Sequence, residues 1–203
     1  EDEINRKHRE KMAKRKAVQD AEVASKTITS KGLLIVNTGP GKGKSTAAFG
    51  LVLRALGHGH HVGVVQFIKG AWDTGERRLL TENFADLCEF HAMGEGFTWE
   101  TQDRARDIAA AQAGWAKAKE LIRDPDIRFV LLDEIIIAMR YDYIDVAEVV
   151  AFLKAEKPPL THVCLTGRGA SEALIEAADL VTEMTLVKHP FRSGIKAQPG
   201  VEF

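Results

Sequence analysis

The stretch Thr38-Gly39-Pro40-Gly41-Lys42-Gly43-Lys44-Ser45-Thr46 constrains this chain more than any other. An apolar run, Leu33–Val36, leads into it, and a helical pattern (Ala47, Ala48, Leu51, Val52, Ala55) follows. Closely spaced glycines let backbone N–H groups turn inward and approach phosphate oxygens with no Cβ in the way. The start of the helix adds free N–H groups and the positive end of its dipole. Lys44 supplies a cation for the phosphates, and the Ser45 hydroxyl is placed to ligate Mg²⁺. Gly39, Pro40, Gly41, Lys42, Gly43, Lys44, Ser45 and Thr46 therefore read as a phosphate-binding loop for a nucleoside triphosphate. Only three residues separate Gly39 from the Gly43-Lys44 pair, where the usual pattern has four.

Such a loop needs a strand before it and a helix after it, and the rest of the chain supplies the matching sheet. Short apolar runs recur at Val62–Phe67, Leu87–Phe90, Phe129–Leu132, His162–Leu165 and Leu180–Leu186. Helical stripes lie between them, one made by Ile108, Ala111, Trp115, Ala118 and Ile122, another by Val146, Val149, Val150 and Leu153. Asp145, with Glu148 three residues on, predicts a capping box for the second. Alternation of this kind predicts an α/β fold, a three-layer phosphate-loop NTPase-like (RecA-like) arrangement with a mostly parallel central sheet flanked by helices. With 203 residues the chain suits one such domain, expected over 32–203.

Residues 1–31 differ in character. Between Arg6 and Lys16 the cations Arg6, Lys7, Arg9, Lys11, Lys14, Arg15 and Lys16 stand against one acid, Glu10, and neither Gly nor Pro occurs before Gly32. This basic N-terminal arm reads as a solvated helix or a disordered tail. Alternatively it closes over a site that holds negative charge. The chain as a whole carries a net charge of −1, so no broad field for nucleic acid or membrane surfaces is expected. No stretch approaches the roughly 18 apolar residues of a membrane span. The two cysteines, Cys88 and Cys164, form no CxxC pair, which fits a reducing cytoplasm.

Phe129-Val130-Leu131-Leu132 ends in Asp133-Glu134. An apolar strand ending in a carboxylate beside a phosphate loop is what a Mg²⁺ site needs. Ser45, Asp133 and Glu134 are the candidate metal residues. Up to this point kinases, ATPases and motor domains all remain open, because the fold does not fix the chemistry.

Further stretches narrow the choice. They are Gln66-Phe67-Ile68-Lys69-Gly70, Gly96-Phe97-Thr98-Trp99-Glu100-Thr101, Thr166-Gly167-Arg168-Gly169 and Val187-Lys188-His189-Pro190-Phe191. Gly194-Ile195-Lys196-Ala197-Gln198 and Gly200-Val201-Glu202-Phe203 complete the set. Together with the loop, they make residues 32–203 resemble the phosphate-loop ATP:corrinoid adenosyltransferases, also called cob(I)yrinic acid a,c-diamide adenosyltransferases. The resemblance implies transfer of the 5′-deoxyadenosyl group of ATP to a cobalt(I) corrinoid with release of triphosphate, in adenosylcobalamin biosynthesis or salvage. A phosphate-loop ATPase or kinase acting on another acceptor is the alternative.

The resemblance also implies ATP with Mg²⁺ or Mn²⁺, and a corrinoid held against Phe97 and Trp99, which displace its lower ligand. Lys69, Glu76 and Arg168 become possible substrate contacts. A homodimer is implied, whose N-terminal helix covers a nucleotide site, and so is an electron donor such as flavodoxin or reduced flavin. No nucleic-acid or membrane partner is implied. Ser45 stands where the family often has Thr, and Ile135-Ile136-Ile137 is more apolar than the family's usual continuation after Asp133-Glu134.

Overall fold

The structure is a computed structural model, and it describes residues 2–28, 30–68, 74–93 and 103–202. Two compact units divide the chain, Glu1–Lys31 and Gly32–Phe203. The first holds helix α1, Asp2–Ala24, which buries none of its residues. Its sequence has no apolar stripe to bury, so local pairs support it. Glu3 accepts from Lys7 at 2.8 Å and Asp20 from Lys16 at 2.5 Å, each one turn apart. Such pairs are worth only a few tenths of a kcal/mol each.

In the second unit the strands are β1 (Leu34–Thr38), β2 (His61–Gln66), β3 (Cys88–Ala92), β4 (Ile127–Asp133), β5 (His162–Thr166) and β6 (Leu180–Glu183). Among the described residues they form one six-stranded sheet in the order β3-β2-β4-β5-β1-β6. Every pairing in it is parallel. Helices α2 (Lys44–Gly57), α3 (Gly75–Asn83), α4 (Arg104–Arg123), α5 (Ile135–Arg140), α6 (Val146–Glu156) and α7 (Glu172–Ala177) accompany them.

Strand side chains alternate between two cores. Ile35, Val62, Val64, Phe129, Leu131 and Cys164 pack with Ala48, Phe49 and Val52 of α2 and Leu80 of α3. Leu34, Val36, Val65, Val130, Leu132, Val163 and Leu165 pack with side chains of α4, α5, α6 and α7. A sheet covered on both faces explains why its strands read as continuous apolar runs. Cys88 and Cys164 are both free and buried. Burial pushes their thiols up to about 11 and about 12, the nearby Asp133 adding to the second.

Two expectations change, and the strand order adds a point between them. The run Leu180–Leu186 becomes a strand only to Glu183. Its ladder partner is β1, which leaves the sheet at the phosphate loop just past the Thr38–Glu183 register pair. The Asp133 strand is not the immediate neighbour of β1, because β5 lies between them. Second, Asp145 caps α6 by accepting from Ala147 N at 3.0 Å. Glu148 does not close the expected box. It accepts instead from Trp115 Nε1 at 2.8 Å and Lys119 Nζ at 3.1 Å. Trp115 itself is buried in the stripe on α4 and meets Phe152 of α6 edge-on at 5.2 Å.

His162 opens β5, and its Nδ1 accepts from Leu33 N at 3.1 Å. Burial, then the cations Arg128 and Lys157, then His60, hold its pKa below the ordinary value. The fold thus favours the neutral ring. That contribution is complete above the unfolded value of about 6.5 and is lost as pH falls through the lower folded value. Between pH 7 and pH 5 the melting temperature should therefore fall more steeply in the wild type than in His162→Gln. A parallel pair of melting curves would show that His162 carries none of the acid sensitivity.

Candidate nucleotide site

The strand registers put Thr38, Gln66, Asp133 and Thr166 at one edge of the sheet, each at the carboxyl end of its strand. In sheets of this kind ligands gather at that edge. A cavity of about 580 Å³ opens there. Gly41 to Thr46 form one wall, and Glu134, Glu76 and Arg168 reach it from three other segments.

The phosphate loop is held by a segment far away in sequence. Gly41 N donates to Met184 O at 2.6 Å. A Cβ on Gly39 would lie 2.6 Å from Met184 O, and one on Gly41 would lie 2.5 Å from Thr185 O. Gly39 and Gly43 also have φ of +98° and +107°, the left-handed region that glycine enters without penalty. These glycines serve the turn and the close approach of the segment after β6. Gly39 is buried in that contact and Pro40 is exposed, and neither lines the cavity.

Lys44 is 6% exposed, and its Nζ donates to Gly39 O at 3.0 Å and to Gly41 O at 2.5 Å. Its ammonium thus lies inside the curl of the loop. Asn37 braces the start of α2 by donating to Lys44 O at 3.3 Å. No side chain caps α2, so its first N–H groups face the cavity with the positive end of the dipole. The N-terminus of α3 reaches the same cavity, where Thr74 accepts from Arg77 N at 3.3 Å and Glu76 sits in the first turn.

Asp133 and Glu134 take different places. Asp133 is 0% exposed and does not line the cavity. Its Oδ2 accepts from Gln66 Nε2 at 3.0 Å and its Oδ1 from Thr166 Oγ1 at 2.8 Å. Glu134 lines the cavity with its backbone in the left-handed region, φ 63°, at a cost of about 1–2 kcal/mol for a residue with a Cβ. Its N–H donates to Thr166 Oγ1 at 2.9 Å. One hydroxyl from the intervening strand therefore fixes both acids. Ile135 and Ile136 after them are buried, which accounts for their apolar character. Gly167, whose Cβ would lie 2.7 Å from Ile136 Cβ, lets the next loop close over α5 and carry Arg168 to the cavity.

The family model described as "ATP:corrinoid adenosyltransferase BtuR/CobO/CobP" matches residues 30–203. The chain belongs to this ATP:corrinoid adenosyltransferase family. A second model, "Cob(I)alamin adenosyltransferase N terminal", matches residues 1–23. A corrinoid adenosyltransferase from Sinorhizobium sp is 67% identical over 97% of this chain and 92% of its own length. Those from Pseudomonas aeruginosa and Salmonella typhimurium are 54% and 45% identical, each covering at least 97% of both chains. Among solved structures, the flagellar accessory protein FlaH from Methanocaldococcus jannaschii superposes with a TM-score of 0.52 at 13% identity. The match covers 76% of this chain and 71% of that one, a likeness of fold alone.

The structure of this adenosyltransferase brings together every phosphate-loop residue from Gly41 to Thr46 with Glu76, Glu134 and Arg168. Lys69, Phe97 and Trp99 lie outside the described residues. Sequence reasoning assigned no role to Gln66, Thr74 or Thr166. Each is a buried polar residue at an element's end, which is the signal that marks them. It also gave no structural place to the last turn. Ala197, Gly200, Val201 and Glu202 line the cavity, and the Glu202 carboxylate pairs with Lys42.

That carboxylate lies where an anionic ligand's charge would go. Glu202→Gln is expected to tighten binding of inorganic triphosphate by about two- to fivefold, the worth of one partly exposed ion pair. Isothermal titration measures this directly. Weaker binding in the variant would mean that Glu202 supports the loop rather than competing at it.

Proposed function

We propose that this chain transfers the 5′-deoxyadenosyl group of ATP to a cobalt(I) corrinoid in adenosylcobalamin biosynthesis or salvage. Beyond family membership, the cavity itself carries the reading. The Lys44 ammonium and two helix N-termini converge where a chain of phosphates would lie. The cobalt(I) electron pair forms the bond to C5′. The C5′–oxygen bond breaks, and its electrons leave with inorganic triphosphate. No general base is required, since the nucleophile has no proton to lose. The protein's task is to align C5′ with the metal and to stabilise charge on the leaving group. Lys44, Lys42, Arg168 and the start of α2 suit that task.

A divalent cation fits the residues present. Asp133 is a fully buried carboxylate that no cationic side chain contacts among the described residues, and a buried charge needs compensation. Ser45, Asp133 and Glu134 are the oxygen donors that would hold Mg²⁺ or Mn²⁺. When bound, the ion would neutralise charge on the departing triphosphate. Phe97 and Trp99 are assigned to the corrinoid, where displacing an axial ligand eases reduction of cobalt(II) to cobalt(I). Lys69 and Glu76 are assigned to substrate contacts. We assign the enzyme to the cytoplasm as a homodimer served by flavodoxin or reduced flavin. No helix of the described residues is long and apolar enough to cross a membrane.

Product analysis under anaerobic conditions tests the proposal. ATP should disappear only when reduced corrinoid is present, giving a light-sensitive cobalt–carbon product and intact triphosphate in equal amounts. Phosphate or diphosphate formed without corrinoid would overturn it in favour of an ATPase or kinase.

A further inference from the structure

Gln66 ends β2 with 1% of its surface exposed. Its backbone is pinned on both sides. Its carbonyl accepts from Met93 N at 2.9 Å, and the next N–H, that of Phe67, donates to Asp133 O at 3.0 Å. Gln66 also stands directly opposite Asp133 in the strand register. The side-chain amide is therefore aimed by the sheet itself. Nε2 donates to Asp133 Oδ2 at 3.0 Å, while Oε1 is buried and has no hydrogen-bond partner. The orientation follows from chemistry, because a carboxylate accepts and only the amide nitrogen donates.

A buried amide oxygen without a donor is costly and uncommon in native proteins. Here it sits in one network with a buried carboxylate that lacks a cation. Thr166 closes the network by donating to Asp133 Oδ1 and accepting from Glu134 N. Both oxygens of Asp133 are thus directed by neutral donors, one from each neighbouring strand. That arrangement orients a carboxylate without neutralising it.

We infer that Gln66 is the positioning residue that aims Asp133 at a divalent cation, with its free Oε1 accepting a hydrogen from a water that arrives with the ion. The inference rests on the divalent-cation reading above. Gln66 touches neither ATP nor corrinoid; it acts through Asp133. Partners of this kind are as important to a metal site as its ligands, and their loss typically lowers metal affinity by about 10–100-fold.

Titration of ATP into the enzyme, with Mg²⁺ and with a chelator instead, separates this role from a merely structural one. In the wild type, Mg²⁺ should tighten ATP binding. In Gln66→Met, close in shape but without donor or acceptor, that Mg²⁺-dependent gain should shrink by about 10–100-fold. The affinity measured without metal should stay within about twofold. A Mg²⁺ gain equal to the wild type's, or equal losses with and without metal, would overturn the inference. A wild type with no Mg²⁺ gain at all would instead overturn the cation reading. If Gln66→Met fails to fold, Gln66→Asn, whose amide is one methylene short of Asp133, is read by the same titration. Should neither fold, the side-chain amide resonances of Gln66 in ¹⁵N-labelled wild type decide. A shift when Mg²⁺ joins the ATP complex supports the inference, and unmoved resonances refute it.

Discussion

Lys44→Ala is expected to lower kcat/KM for ATP by about 10²–10³-fold, the loss seen when one preorganised donor to a developing negative charge is removed. Lys44 is 6% exposed and held by Gly39 O and Gly41 O inside the loop. Its ammonium is already desolvated and already placed, so little reorganisation stands between the resting loop and one that holds triphosphate. Arginine is a poor substitute, because its planar fork does not fit a curl closed around a single ammonium. Lys44→Arg should therefore recover less than a tenth of the lost activity. Steady-state rates with chemically reduced corrinoid measure both variants. A loss below about fivefold in Lys44→Ala would show that the leaving-group charge is carried elsewhere.

The second large effect is on stability. Trp115→Ala should cost about 3–5 kcal/mol, the usual range for emptying a buried aromatic site. In a chain of this size that lowers the melting temperature by roughly 6–20 °C. The indole joins α4 to α6 through Phe152 and Glu148, and Lys119 of its own helix covers its ring. It packs edge-on against Phe152 at 5.2 Å, donates to Glu148 at 2.8 Å, and lies under Lys119 Nζ at 5.5 Å. Trp115→Phe keeps most of the packing and loses the donor. Its cost should be about 1 kcal/mol or less, because Glu148 is half-exposed and keeps Lys119 as a partner. Thermal melts of the two variants separate packing from the hydrogen bond, and equal costs would refute the division.

Much of this was legible in the sequence because it is local. The phosphate loop announces itself through glycine spacing between an apolar run and a helical stripe, and the Trp115 stripe follows from periodicity alone. Strand order is not local. Nothing in Phe129–Asp133 says that β5 will lie between it and β1, so the bridging role of Thr166 could not be read. The fate of Glu148 was hidden for the same reason. A glutamate three residues past a cap has two competing partners, its own helix end and an indole 33 positions earlier, and only packing decides. The packing of Met184 and Thr185 onto the loop was equally out of reach. It explains in retrospect why Gly39 and Gly41 tolerate no side chain.

The buried thiols have a practical consequence. With pKa values of about 11 and about 12, Cys88 and Cys164 carry almost no thiolate at neutral pH, and thiolate is the form that alkylating probes attack. The native chain is thus a silent background for thiol labelling. A single cysteine introduced at an exposed position, such as Pro40→Cys within the phosphate loop, would take a fluorophore alone and report nucleotide arrival without removal of either natural cysteine.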